Sequence, residues 1–167
     1  IVIHLAAQSL VRKSYDFPLE TFSTNVLGTA NLLESVKSVP SVKSCVIMTS
    51  DKAYENKEWD YAYRENDPMG GHDPYSASKG ASELIVSSYR RSFFNQKNSP
   101  GIASIRAGNV IGGGDWSENR LIPDCIRALQ SNKKITLRSP NSVRPWQYVL
   151  ESLSGLLLIG SKLAQNP

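Results

Sequence analysis

Cysteine, histidine and methionine each occur only twice in the 167 residues, and no apolar run approaches the length of a membrane span. Two cysteines cannot build a disulfide framework. Cys45 lies in an apolar stretch and Cys125 in a helical one, so both read as buried, reduced thiols and point to a cytoplasmic setting. His72 has no partners at metal-ligand spacing, which leaves it a loop residue and gives no reason to expect a metal site. The start, Ile1-Val2-Ile3, lacks the basic flank of a signal peptide. The phosphate loop ending Gly-Lys-Ser/Thr is missing too. Gly112-Gly113-Gly114-Asp115-Trp116 is rich in glycine, but it does not match a dinucleotide fingerprint opening a helix and reads as a permissive loop.

What is present is ordinary for a globular domain with a sizeable core: 40% hydrophobic and 20% charged residues. The net charge of +4 hides an asymmetry. Residues 1–83 carry 8 Lys/Arg against 11 Asp/Glu, while residues 84–167 carry 11 against 4. The second half therefore suits an anion. In it only Arg90-Arg91 and Lys133-Lys134 are adjacent basic pairs, a scatter that favours a small polyphosphate over nucleic acid.

The pattern along the chain alternates strands and helices. Residues 1–5 form a short apolar run suited to a strand buried on both faces, and Ala6-Ala7-Gln8 follows at its carboxyl end, where open α/β sheets bind ligands. Small residues there either leave room for a ligand or simply pack tightly; the residues alone leave both open. A helix is expected over 18–39, its core face made by Phe22, Val26, Ala30, Leu33 and Val36, with Gly28 marking close backbone packing. Asn25 inside it is either solvated or a buried polar group with a task. A second strand is expected over 42–49 and a third over 102–106, separated by a helix over 75–94 with Ala81, Leu84, Ile85, Ser88 and Tyr89 on its core face. Beyond lie a helix over 121–129, a strand over 135–137, an extended 144–149 and a final helix over 151–163. Residues 52–74 show no periodicity yet hold Trp59, Tyr61 and Tyr63, and so long a connection in a compact domain reads as functional.

Two stretches carry chemistry. Ser50-Asp51-Lys52 ends the second strand, at the edge where α/β chemistry is expected, although an Asp-Lys pair there also suits a solvated turn. Tyr75 and Lys79 are four apart and share a helix face, and an ammonium beside a phenol favours its phenolate. That makes Tyr75 a candidate base. With 7 tyrosines in the chain about 0.4 such pairs arise by chance, so the context decides. Arg120, Arg138 and Arg144 lie in three segments and either converge on a diphosphate or are solvated surface residues.

Together these pieces resemble the extended short-chain dehydrogenase/reductase family. His4-Leu5-Ala6-Ala7, Asn25-Val26-x-Gly28-Thr29, Ser50-Asp51, Tyr75-x-x-x-Lys79 and Arg106-x-x-Asn109 stand in the family's order and spacing. The resemblance implies an α/β fold with a partial, doubly wound parallel (Rossmann-like) sheet over 1–114, and over 115–167 the start of a smaller lobe that binds the substrate together with a return helix. It places the family's glycine-rich dinucleotide loop before Ile1 and the end of the substrate lobe after Pro167, so the chain by itself is expected not to turn over substrate.

The Asp51 position resembles the sugar-nucleotide 4,6-dehydratases of that family, in which Asp is usually followed by Glu; here Lys52 follows. With Gly113-Gly114-Asp115-Trp116 and Arg144-Pro145-Trp146-Gln147, the likeness is greatest to members that act on CDP-glucose, whose deoxysugar products serve O-antigen and lipopolysaccharide. By this resemblance NAD is the cofactor, held by Ala6, Ala7, Gln8, Tyr75 and Lys79. Tyr75 takes the proton from the hydroxyl on sugar carbon 4, Ser50 hydrogen-bonds the same oxygen, and Asn25 orients the Tyr-Lys pair. Asp51 serves as acid and Lys52 as base in the elimination. Ser50, Asn109, Arg120, Arg138 and Arg144 hold the nucleotide-diphosphate sugar, and the full-length protein is a homo-oligomer. An epimerase or reductase of the same family, or a non-catalytic nucleotide-binding piece, is the other reading.

Overall fold

The structure, a computed structural model, describes residues 1–166 and forms two compact units, one of residues 1–107 and 154 onward, the other of residues 108–153. The first unit is built on a three-stranded parallel sheet in the order β1 (Val2–His4), β2 (Ser44–Met48), β3 (Gly101–Ile105). Val2 pairs with Cys45 and Ser44 with Gly101, so β2 is the central strand. Parallel neighbours need long crossovers. Helices α1 (Val11–Asp16), α2 (Pro18–Phe22) and α3 (Gly28–Lys37) supply the first, and α4 (Pro74–Ser92) the second.

Alternation along β2 sends Cys45 and Ile47 to one face and Val46 to the other. The first face meets Leu33 and Val36 of α3, Val86 of α4 and Ile102, which form the core with Phe94. Burying each such aliphatic side chain contributes about 2 kcal/mol. The second face receives α6 (Val149–Gln165), in which Leu156 and Gly160 are buried and the Gly160 carbonyl accepts from Ser44 Oγ at 2.8 Å. Helices on both faces make the sheet doubly wound. This packing returns α6 to the first unit from Ser154 onward, and the first division falls after Ala107, seven residues before the expected boundary at Gly114.

The structure differs from expectation at several elements. β1 is an edge strand, not one buried on both faces: Ile1 is 63% and Leu5 51% exposed. The helix over 18–39 is continuous but contains a π-helical turn, Ser23–Leu27, between α2 and α3. Its buried face runs through Thr21, Asn25, Thr29, Leu33 and Val36, one position round from the apolar stripe at Phe22 and Val26. Gly28 is not closely packed, since a Cβ there would meet only the Ser23 carbonyl oxygen, at 3.9 Å. On α4 Leu84 is exposed, whereas Tyr75, Ser78, Lys79, Ser82 and Glu83 are buried. Residues 135–137 are not a strand. Cys45 is fully buried, and burial pushes its thiol up to about 11, while Cys125 is half-buried.

In the second unit β4 (Asn109–Ile111) pairs in parallel with β5 (Trp146–Tyr148), a strand where a loop was expected at 109–111, and α5 spans Leu121–Gln130. Residues 52–74 hold only a 3-10 turn (Asp51–Ala53, at their start) and one antiparallel bridge between Tyr54 and Met69. The segment is ordered instead by stacking, with Tyr54 on Tyr63 at 5.0 Å and Trp59 on Tyr61 at 5.0 Å. Among the described residues no helix is long and apolar enough to cross a membrane, and no His/Cys/Asp/Glu group is arranged to hold a metal.

Candidate active site

The site lies at the carboxyl end of β2, in the first unit. Ser50 there is extended and caps the 3-10 turn: its Oγ accepts from Lys52 N at 3.2 Å and donates to Asp51 Oδ1 at 3.0 Å. One hydroxyl thus organises all three residues. Asp51 N donates to the Ala107 carbonyl at 2.9 Å, which ties this turn to the chain leaving β3. Among the described residues no ion pair joins Asp51 to Lys52, and the Lys52 side chain makes no hydrogen bond.

Helix α4 begins beside this turn for reasons visible in the chain. Asp73 is its cap, accepting from Ser76 N at 2.9 Å and from Ser76 Oγ at 2.6 Å, and Pro74 occupies the first helical position, where no amide donor is needed. The approach is so tight that a Cβ on Gly71 would stand 2.2 Å from the Ser76 carbonyl carbon. The cap sets Tyr75 and Lys79 on the buried side, 8% and 6% exposed, with Lys79 Nζ 6.0 Å from the centre of the Tyr75 ring. Lys79 Nζ donates to the Met48 carbonyl at 3.3 Å, so the ammonium sits at the end of β2. Burial pulls the Lys79 ammonium below the usual lysine range, and Glu83 one turn on opposes that. His4 is lowered as well, by burial and by the Lys79 charge.

Asn25 is buried, at 2% exposure, which decides between the two readings of it. Its Nδ2 donates to the Gln8 carbonyl at 3.0 Å and to Ser78 Oγ at 2.8 Å, and its Oδ1 accepts from Gln8 N at 2.9 Å. Its carbonyl accepts from Ser82 Oγ at 2.9 Å and Thr29 Oγ1 at 2.7 Å, two side-chain donors at a turn whose backbone ladder has shifted to π spacing. Asn25 therefore grips α4 at Ser78 and Ser82, one residue before Lys79 and three after it. Gln8 spends its side chain inside the chain, donating to Thr21 Oγ1 and Leu10 O and accepting from Leu10 N. Ala6 is exposed and Ala7 half-buried at the end of β1.

Glu83 was missed by sequence reading. It is 4% exposed and accepts from Thr49 Oγ1, from Ser104 Oγ at 2.8 Å and from Arg106 at 3.0 Å; Arg106 also lies over the Tyr54 ring at 4.7 Å. The only signal was an acid four residues after Lys79. Its hydrogen-bond partners and Arg106 hold its carboxyl below the usual range against burial.

In the second unit, Arg138 donates to Asn119 Oδ1 at 2.6 Å and pairs with Asp124 at 3.3 Å, while Arg120 pairs with Asp115 at 3.3 Å. Arg144 bonds the Val143 carbonyl at 2.8 Å and joins neither. Asn109 opens β4, its N–H donating to the Pro145 carbonyl at 3.1 Å.

A doubly wound parallel sheet with Ser, Tyr and Lys gathered at its carboxyl edge defines a protein of the short-chain dehydrogenase/reductase class. The GDP-mannose 4,6 dehydratase family model matches residues 1–165, and the chain belongs to that family. It is 57% identical over 98% of its length to a CDP-glucose 4,6-dehydratase of Salmonella typhimurium and 31% identical over 95% to a dTDP-D-glucose 4,6-dehydratase of Dictyostelium discoideum. It spans 46% and 38% of those two relatives, under half of each. A dTDP-glucose 4,6-dehydratase of Streptomyces venezuelae, solved with NAD bound, superposes with a TM-score of 0.84 at 26% identity, over 94% of this chain and 47% of that one.

Proposed function

We propose that the full-length protein is an NAD-dependent hydro-lyase that converts CDP-glucose to CDP-4-keto-6-deoxyglucose. The observation that carries this is the buried Tyr75–Lys79 pair, its ammonium at the end of the strand that leads into Ser50-Asp51-Lys52, in a chain 57% identical to a CDP-glucose 4,6-dehydratase. The residues fit NAD: the Lys79 ammonium has three donors and, among the described residues, one hydrogen-bond acceptor, Met48 O, so donors remain for ribose hydroxyls. Ala6 and Ala7, without side chains beyond Cβ, line the cofactor, and Gln8 anchors their loop through Asn25. When bound, NAD supplies the acceptor and later the donor of the hydride.

Tyr75 takes the proton from the hydroxyl on sugar carbon 4, Ser50 hydrogen-bonds that oxygen, and Lys79 favours the phenolate. Asn25 holds the helix face on which Tyr75 and Lys79 sit. A ketone at carbon 4 acidifies carbon 5. Lys52 then removes that proton and Asp51 protonates the leaving hydroxyl on carbon 6. In this step Lys52 is neutral and Asp51 protonated, which carries the same total number of protons as their charged forms. Asn109, Arg120, Arg138 and Arg144 hold the nucleotide diphosphate. The enzyme works in the cytoplasm, where free thiols persist, and serves deoxysugar synthesis of the O-antigen and lipopolysaccharide kind. It forms a homo-oligomer, for which the exposed apolar face at Leu19, Phe22, Leu27 and Leu84 is available.

The test is NMR of the product from CDP-glucose with the full-length protein and NAD. A 6-deoxy-4-keto sugar is expected; a carbon 4 epimer or recovered substrate overturns the reading.

A further inference from the structure

The two elements that carry Ser50, Tyr75 and Lys79, the end of β2 and α4, meet β3 at one carboxylate. Thr49, which donates to Glu83, immediately precedes Ser50; Ser104 and Arg106, which also bond it, are on β3 and just past its end; and Glu83 itself stands one turn beyond Lys79 on α4. Arg106 extends the contact to the aromatic segment, through the Tyr54 ring and the Glu65 carbonyl at 2.9 Å. We infer that Glu83 is a positioning residue for the proposed oxidation, fixing the strand end that carries Ser50 against the helix face that carries Tyr75 and Lys79 and presenting a negative charge to the Lys79 ammonium.

Two functions separate within that role. The first is geometric: three donors from two strand ends lock one carboxylate on α4, so the Ser50 hydroxyl and the Tyr75 phenol keep one spacing. The second is electrostatic. Lys79 is buried with a single carbonyl acceptor; the charged or titratable groups facing it are Glu83 and Tyr75 on α4 and His4 on β1, and Arg106 faces Glu83 from the end of β3. Glu83 is the carboxylate that favours the ammonium in the absence of a phenolate, whereas His4 cannot gain charge beside it without repulsion. A neutral Lys79 no longer acts as a cation on the Tyr75 ring or on a cofactor hydroxyl, so the Glu83 charge sets how far into alkaline pH the ammonium persists.

The inference rests on the dehydratase reading, and the test keeps the two apart. In full-length Glu83→Gln, single-turnover oxidation of CDP-glucose, followed as NADH absorbance, is expected to slow about tenfold or more with substrate affinity nearly unchanged, and its alkaline limb to move down by about one pH unit. Glu83→Asp restores the limb but not the full rate, because the charge returns on a shorter arm. Independently of turnover, the 13Cε shift of Lys79 in lysine-labelled protein, assigned with Lys79→Met, titrates at lower pH in Glu83→Gln than in wild type. That shift is expected even if the wild type proves not to act on CDP-glucose. If Glu83→Gln does not fold, Thr49→Val carries the test, with a slower oxidation expected at unchanged NAD affinity. An unaltered rate, limb and Lys79 titration, with only a lower Tm, would make Glu83 a structural residue and overturn the inference.

Discussion

Lys79 holds a charge where burial disfavours one, and that sets its stability against its use. Its folded pKa lies below the ordinary 10.5, so between the two values the unfolded chain binds more protons and stability rises with pH; at neutral pH the buried ammonium costs stability. Lys79→Met is therefore expected to stabilise the fold by about 1 kcal/mol, read as a higher Tm, while weakening NAD binding in the full-length protein. Tyr75→Phe differs: it abolishes oxidation at carbon 4 and leaves NAD binding nearly intact, and a variant keeping more than about a tenth of the wild-type rate would remove Tyr75 as the base. Lys52 is tested by isotope exchange. Among the described residues its side chain has no hydrogen-bond partner, which leaves it able to reach a substrate. Lys52→Met should still reduce NAD in a single turnover but exchange the carbon 5 proton with deuterated solvent far more slowly, and unchanged exchange would assign that proton to another base.

At the scale of elements, α4 is placed by its cap, and the cap works only because Gly71 has no side chain. A Cβ there meets the Ser76 backbone at 2.2 Å, which cannot give without opening the Asp73 cap, so Gly71→Ala should destabilise by about 2–4 kcal/mol, read by urea unfolding. Neither this contact nor Glu83 was legible in the sequence, because each depends on residues brought close only by the fold. The strands β2 and β3, the helices α4, α5 and α6 and the Tyr75–Lys79 face were legible, since periodicity and caps are local. The core faces of the long helices were misplaced for one reason. Their buried sides carry Asn25, paired to Ser78 and Ser82, and Glu83, paired to the strand ends, and an apolar stripe is no guide to a face buried for hydrogen bonding. The π-helical turn at Ser23–Leu27 leaves no mark in composition at all.

For the whole molecule, the chain holds the chemistry-bearing edge of its sheet but no glycine-rich loop that opens a helix onto a pyrophosphate. Purified residues 1–167 are expected to give no steady-state turnover of CDP-glucose with NAD, and measurable turnover would show that the pyrophosphate contacts are dispensable. The first unit is nonetheless closed by its own ion pair. Glu83 and Arg106 join α4 to the end of β3 and, through Thr49, to β2, so protonating one carboxylate loosens three elements together. The folded pKa of Glu83 is depressed below the ordinary 4.5, so its contribution is fully present above that value and is lost as pH falls through the folded one. Breaking such a buried pair from one side costs about 3–5 kcal/mol. Glu83→Gln should therefore melt well below wild type at pH 7, and the gap between their Tm values should narrow as pH falls below about 4.5; a gap that stays constant down to acid pH would mean that Glu83 stabilises the fold by packing and not by charge.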